Sequence, residues 1–214
     1  HRPALNADIF SVWMAARESL RTAGATIVDL GDLHLPDLAA VFASIQLAEA
    51  LHVHRSAGLF PTRSAEYGPD IRRRLELAEQ VTLDAYLSAV VERLAAKQTL
   101  VSALQRVDVI MSPCASAGPI PIPSQHASAS LGVPDLRQIV LGYTAPQNLA
   151  GLPACAVRAG FDAQGMPVGI QFTGREGADS QVLAVATAFH RATPEIQGKW
   201  PEFPSRRLPR DRAE

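Results

Sequence analysis

The sequence predicts an α/β fold in which a mixed β-sheet is flanked by helices. Three observations carry this. An amphipathic helix runs through Gly24 directly into the β-branched stretch 25–30, two further strand candidates (154–158 and 168–173) lie close together across a turn-rich link, and an amphipathic segment at 179–192 follows them. A helix feeding a strand through one glycine is a common α/β unit, and it implies a parallel or mixed sheet.

The elements follow in order. Over residues 6–23, Ile9, Val12, Trp13, Ala16 and Leu20 recur at helical spacing, with Asn6 or Asp8 as the cap and Gly24 as the stop. After Pro36, Leu38, Val41, Phe42, Ile45 and Ala48 mark a second helix that runs to about His54. A broken stretch holding Gly58, Pro61, Gly68 and Pro69 leads to a third helix over 70–79. The next helix has the clearest pattern, because Leu83, Leu87, Val90, Leu94, Val101 and Leu104 alternate three- and four-residue steps, with Lys97 on the same seam.

Residues 107–111 form a short strand candidate that ends at Ser112-Pro113. About thirty aperiodic residues follow, interrupted by Pro119, Pro121, Pro123 and Pro134, and a loop of that length is usually functional or disordered. The stretch 138–149 is ambiguous in period. Residues 1–192 are assigned to one domain and 193–214, with four prolines and Arg206, Arg207, Arg210 and Arg212, to a Pro/Arg-rich tail that reads as solvated surface.

Composition narrows the function. A formal net charge of −1 from 20 basic and 21 acidic residues offers nothing to nucleic acid or an anionic membrane. Cys114 and Cys155 stand far apart in no metal-type spacing, so a disulfide framework is not expected and a reducing, cytoplasmic setting fits. No apolar run approaches the roughly 20 residues that span a bilayer. The chain opens on His1-Arg2-Pro3 without an apolar signal core or a methionine, which suggests processing, truncation or a tag remnant.

The motif-bearing block is 144–174, T-A-P-Q-N-L-A-G-L-P-A-C-A-V-R-A-G-F-D-A-Q-G-M-P-V-G-I-Q-F-T-G, preceded by the Pro-terminated strand 108–113 and the long loop. This ordered set, T-x-x-x-N-x-x-G-x-P and then G-x-P-x-G-x-Q, resembles the C-terminal half of an amidase-signature hydrolase. The resemblance is sharp over 107–189 and looser over 6–106. Arg158, where a proline often follows the strand, and His190, where the closing helix often carries glutamate, depart from the pattern and suggest a subgroup with its own substrate or partner.

The resemblance implies a serine nucleophile, a second serine with a cis peptide and a lysine base, with a Gly- and Ser-rich loop supplying oxyanion donors. None of these can be placed in this chain. Its two lysines are Lys97 and Lys199, there is no Gly-Gly pair and no G-x-S-x-G, so no catalytic residue is assigned. Lys97 on its helix seam is expected to carry its stem over apolar neighbours toward water.

Four residues are expected to bind substrate: Cys114, Thr144, Asn148 and Gln171. Asn148 and Gln171 are polar residues inside apolar segments, which fits either satisfaction of backbone groups at strand ends or direct substrate contact. The Cys114 position is commonly threonine in the family, which implies a pocket-lining residue. Ser124, Ser128 and Ser130 around His126 read as a polar loop. Glu49, His52 and His54 put only one pair on a shared helix face, so no metal is expected, and no G-x-G occurs to hold a phosphate or dinucleotide, so no cofactor is expected either.

Two main readings follow. The chain is the C-terminal portion of an amidase, inactive alone, that acts on a small amide only together with an N-terminal catalytic half. Alternatively it is a stand-alone noncatalytic module for binding or assembly. An independent thiol hydrolase using Cys114 and His126 is a third. Exposed strand edges and apolar surface left by a divided sheet predict a partner or self-association.

Overall fold

A computed structural model describes residues 4–119 and 136–200. The elements are α1 (Ala7–Thr22), α2 (Leu38–Ser56), α3 (Pro69–Ala78), α4 (Leu83–Leu104), β1 (Ile110–Pro113), α5 (Leu136–Ala150), β2 (Ala154–Phe161), β3 (Pro167–Thr173), α6 (Asp179–Ala192) and the short α7 (Pro194–Gln197). The ambiguous stretch at 138–149 is therefore helical, with Pro146 inside it. The serine-flanked His126 and the tail arginines lie outside the described residues.

Among the described residues the sheet has three strands in the order β1-β3-β2, and both pairings are antiparallel. β2 and β3 form a hairpin whose turn is held by Asp162, with Oδ1 accepting from Gln164 N at 3.0 Å and Met166 N at 2.8 Å. Alternation along β3 then separates two faces. Ile170 and Phe172 point into a core built with Ala16 and Leu20 of α1 and Val182, Ala186 and Phe189 of α6, where the Phe172 and Phe189 rings meet edge-on at 6.0 Å. Gln171 points the other way, under α5. The sheet is thus flanked by helices on both sides, as expected. α1 approaches closely: a Cβ on Gly160 would lie 2.9 Å from Val12 Cγ1, so glycine is required there.

One expectation fails. Residues 25–30 are not a strand. Ala25 N donates to Leu20 O at the helix end, but Thr26, Ile27, Val28 and Leu30 make no backbone hydrogen bond with any other described residue. The β-branched composition is strand-like, yet a strand exists only when a neighbour completes its ladder, and none is present among the described residues. Parallel pairing is absent there for the same reason.

A second helical layer covers the Gln171 face. Leu38, Val41 and Ile45 of α2, Ala89 and Ala96 of α4 and Ala145 of α5 pack together, and Leu100 and Leu104 join Ala150 and Leu152 beside Ile110. The loop after β3 clamps the end of α4, with Arg175 Nε donating to Leu104 O at 2.9 Å and its Nη2 to Val107 O at 3.2 Å, where a cation suits the helix C-terminus.

The apolar seam expected on α4 does not stay in one environment. Leu83, Leu87, Leu94 and Val101 are exposed, at 72 % to 38 %, while Val90 is half-buried and Leu104 is fully buried. At about 100° per residue Leu83 and Val101 lie at the same angle around the helix, whereas Val90 and Leu104 lie roughly 20° and 60° nearer the packed face of Ala96 and Leu100. Lys97, midway, places Nζ 2.9 Å from Glu176 Oε2, which holds the Glu176 carboxyl below its ordinary range.

The segment after α6 folds back onto β2. Arg158 Nη2 donates to Gln197 O at 2.6 Å, and Gln197 Nε2 returns a bond to Arg158 O at 2.8 Å. This gives Arg158 a structural role at the sheet edge.

Truncating the centre of the α1/α6 core removes fully buried volume, so Phe172→Ala should lower unfolding free energy by about 3–5 kcal/mol, read from urea denaturation followed by circular dichroism.

Candidate functional site

Four of the five buried polar residues among the described residues, Ser116, Gln147, Gln171 and Thr173, come from β3, α5 and the chain just beyond β1. Gln171 holds this region together. Its Nε2 lies 2.7 Å from Tyr143 O, 3.0 Å from Pro113 O and 3.1 Å from Ser112 Oγ, so one amide ties β3 to the end of β1 and to the middle of α5. Ser116 N donates to Ile139 O at 2.9 Å and makes a second tie between the same two segments.

Cys114 follows β1 and stays attached to β3 through Cys114 N donating to Gly169 O at 3.2 Å. A Cβ at Gly169 would sit 3.1 Å from Cys114 Sγ, so the glycine makes room for the thiol. Burial is the first cause that pushes the Cys114 thiol up to about 11, with Cys155 adding to it. A thiol held protonated in this way is a poor nucleophile at neutral pH; His126, the other half of the thiol-hydrolase reading, lies outside the described residues.

Thr144 and Asn148 sit one turn apart on α5, and both turn their side chains to the helix backbone. Thr144 Oγ1 donates to Val140 O at 3.2 Å, and Asn148 Nδ2 to Thr144 O at 2.9 Å. Asn148 is exposed. Gly151, at φ +65°, then ends the helix in the left-handed conformation that glycine tolerates. The geometry therefore brings Gln171 against the residues adjoining Cys114 and Thr144, and leaves Asn148 at the surface.

Gln147 has no place in the sequence-based expectations, although it is buried beside this layer and its Oε1 has no hydrogen-bond partner among the described residues. No signal in the sequence alone marks it out. Position 147 is one helical turn beyond Tyr143, whose carbonyl accepts from Gln171. The acidic and histidine residues of α2 diverge: Tyr86 Oη donates to Glu49 Oε1 at 3.3 Å, His54 Nδ1 lies 2.7 Å from Tyr67 Oη, and His52 is exposed. No group of three His, Cys, Asp or Glu suited to a metal occurs among the described residues. No helix among them is long and apolar enough to cross a membrane.

Helices over both faces of a sheet, with a polar layer between one face and its covering helix, define part of a layered α/β fold. The chain belongs to the amidase family, whose family model matches residues 3–183. It is 30 % identical over 210 residues to a glutamyl-tRNA(Gln) amidotransferase subunit from Rhizorhabdus wittichii, covering 86 % of this chain and 41 % of that protein. The same amidotransferase subunit from Cyanothece sp. is 35 % identical over 138 residues, covering 62 % of this chain and 28 % of that protein. Among solved structures, an amidase aligns with a TM-score of 0.72 at 26 % identity, over 87 % of this chain and 42 % of its own. A bacterial aryl acylamidase of the amidase-signature family aligns with a TM-score of 0.73 at 19 % identity, over 94 % of this chain and 44 % of its own, a likeness of fold. The chain spans about two fifths of the length of its full-length relatives, or less.

Two outcomes are expected. Gln171→Leu keeps the volume but removes the buried amide that donates to Tyr143 O, Pro113 O and Ser112 Oγ, and should cost about 2–3 kcal/mol in urea denaturation. Cys114 should react with iodoacetamide at pH 7.5 about 100-fold more slowly in the folded chain than in the unfolded one, since two pKa units separate 9.0 from about 11. The matching stability contribution is full below pH 9 and is lost as pH rises through 11, because the unfolded thiol ionises first.

Proposed function

We propose that this chain is the C-terminal portion of an amidase, and that it takes part in hydrolysis of a carboxamide C–N bond only when joined to an N-terminal portion carrying the serine, cis-serine and lysine of that chemistry. The observation that carries the reading is the unpaired segment 25–30. Its composition suits a strand, Ile27 packs against the α1/α6 core, and its backbone finds no ladder partner among the described residues. The coverage of only about two fifths of the relatives supports the same conclusion.

The chain's own lysines give no substitute base. Lys97 is paired with Glu176, and Lys199 Nζ lies 5.8 Å from the centre of the Phe161 ring. Neither takes part in the hydrogen bonds of Gln171. In the joined protein that layer would form one wall of the acyl pocket, with Cys114 and Thr144 adjoining Gln171 and a small amide as the substrate.

The test joins this chain to the complementary N-terminal portion of a family member. The chain alone should show no turnover of aliphatic or aromatic amides, and the assembled pair should hydrolyse at least one. An assembled, folded pair without activity on any of them would count against the reading. Hydrogen exchange adds an activity-independent check: the amides of Ile27, Val28 and Leu30 should exchange freely in the isolated chain and slow by 100-fold or more on joining. Unchanged exchange in the pair would show that these residues do not enter a ladder.

A further inference from the structure

The outer face of α4 carries a second, regular apolar pattern. Leu87, Val91, Leu94, Gln98 and Val101 follow steps of four, three, four and three. The four apolar members are 52 %, 66 %, 49 % and 38 % exposed, Gln98 is exposed as well, and Leu83 extends the stripe at its N-terminal end. The residues of α4 that pack inward, Ala89, Ala96, Leu100 and Ala103, lie roughly half a turn away at about 100° per residue. This stripe faces away from α2 and α5, and so away from the sheet that α5 covers.

The steps match a coiled-coil seam. Counting them as heptad positions puts leucine or valine at every d, a β-branched valine at one a, and one polar residue, Gln98, at the other a. Valine at a with leucine at d favours two-stranded pairing, and a single polar a residue fixes register. The pattern is complementary to itself, and every partner it requires is present on another copy of the same helix.

We propose that α4 is a self-association surface, through which two copies of this chain pair along Leu87, Val91, Leu94, Gln98 and Val101 about a two-fold axis. The stripe lies on the side of α4 opposite Ala89 and Ala96, which pack against α2 and α5. The seam is about 21 Å long at 1.5 Å per residue. A contact of that length sits near the lower limit of specific interfaces, about 1,000 Å² in total, so the pairing is expected at micromolar concentrations.

Sedimentation of the full chain from about 1 to 200 µM tests it. The mass should rise from one copy toward two, and the double variant Leu87→Glu/Leu94→Glu should stay at one copy throughout with an unchanged far-ultraviolet spectrum. Val53→Glu, which alters an apolar residue of α2 that is 62 % exposed and off the seam, should associate like the parent. In an independent variant, Leu94→Cys should give a disulfide-linked dimer on mild oxidation that the parent does not. A parent that remains one copy at every concentration, a double variant that still associates, or an absent Leu94→Cys crosslink would overturn the proposal. Joining to an N-terminal portion discriminates the remaining occupant: a two-plus-two complex supports self-pairing, whereas a one-plus-one complex that no longer self-associates assigns the stripe to the N-terminal portion. This readout is mass, so it is independent of whether the joined protein hydrolyses amides.

Discussion

On the α5 side, the amide nitrogen of Gln171 makes the central polar tie between sheet and helix, beside the bonds from Ser116 to Ile139 O. It is buried in the central strand and reaches the end of β1, a serine on β1 and a carbonyl midway along α5. Buried backbone carbonyls need donors, and α5 has its own sequence problem, a proline inside the helix. The same side chain that serves those acceptors also sets the spacing between helix and sheet. The opposite face needs no such device, because Ile170, Phe172 and Phe189 meet there as apolar surfaces.

Much of this was legible in the sequence. Apolar periodicity located α1, α2, α4 and α6, and the hairpin showed as two short runs across a Gly- and Pro-rich turn. Gln171 stood out as a polar residue in an apolar strand, and its observed bonds are those of a residue satisfying backbone and hydroxyl acceptors. Periodicity misled at α4, where one seam was assumed to face one environment. Of its members only Leu104, at the helix end, is fully buried, and Ala89, Ala96 and Ala103, too small to stand out in a hydrophobic pattern, form much of the buried face.

Other features could not be read because they depend on a neighbour rather than on local sequence. Residues 25–30 have the composition of a strand, but pairing is a property of two segments, and only one is present among the described residues. Asn148 looked like an internal polar residue by its surroundings in sequence, yet it lies on the exposed side of α5, where it bonds to its own helix. Ambiguity at 138–149 arose because Gly142 and Pro146 interrupt a pattern that tertiary packing against α2 and α4 restores.

The reciprocal bonds between Arg158 and Gln197 have a further consequence. They set α7 against β2, so that end of the sheet is stoppered, while the β1 end carries no further strand among the described residues. A sheet stoppered at one end can accept strands from one direction only. Copies that met through the β1 edge alone would stop at a pair.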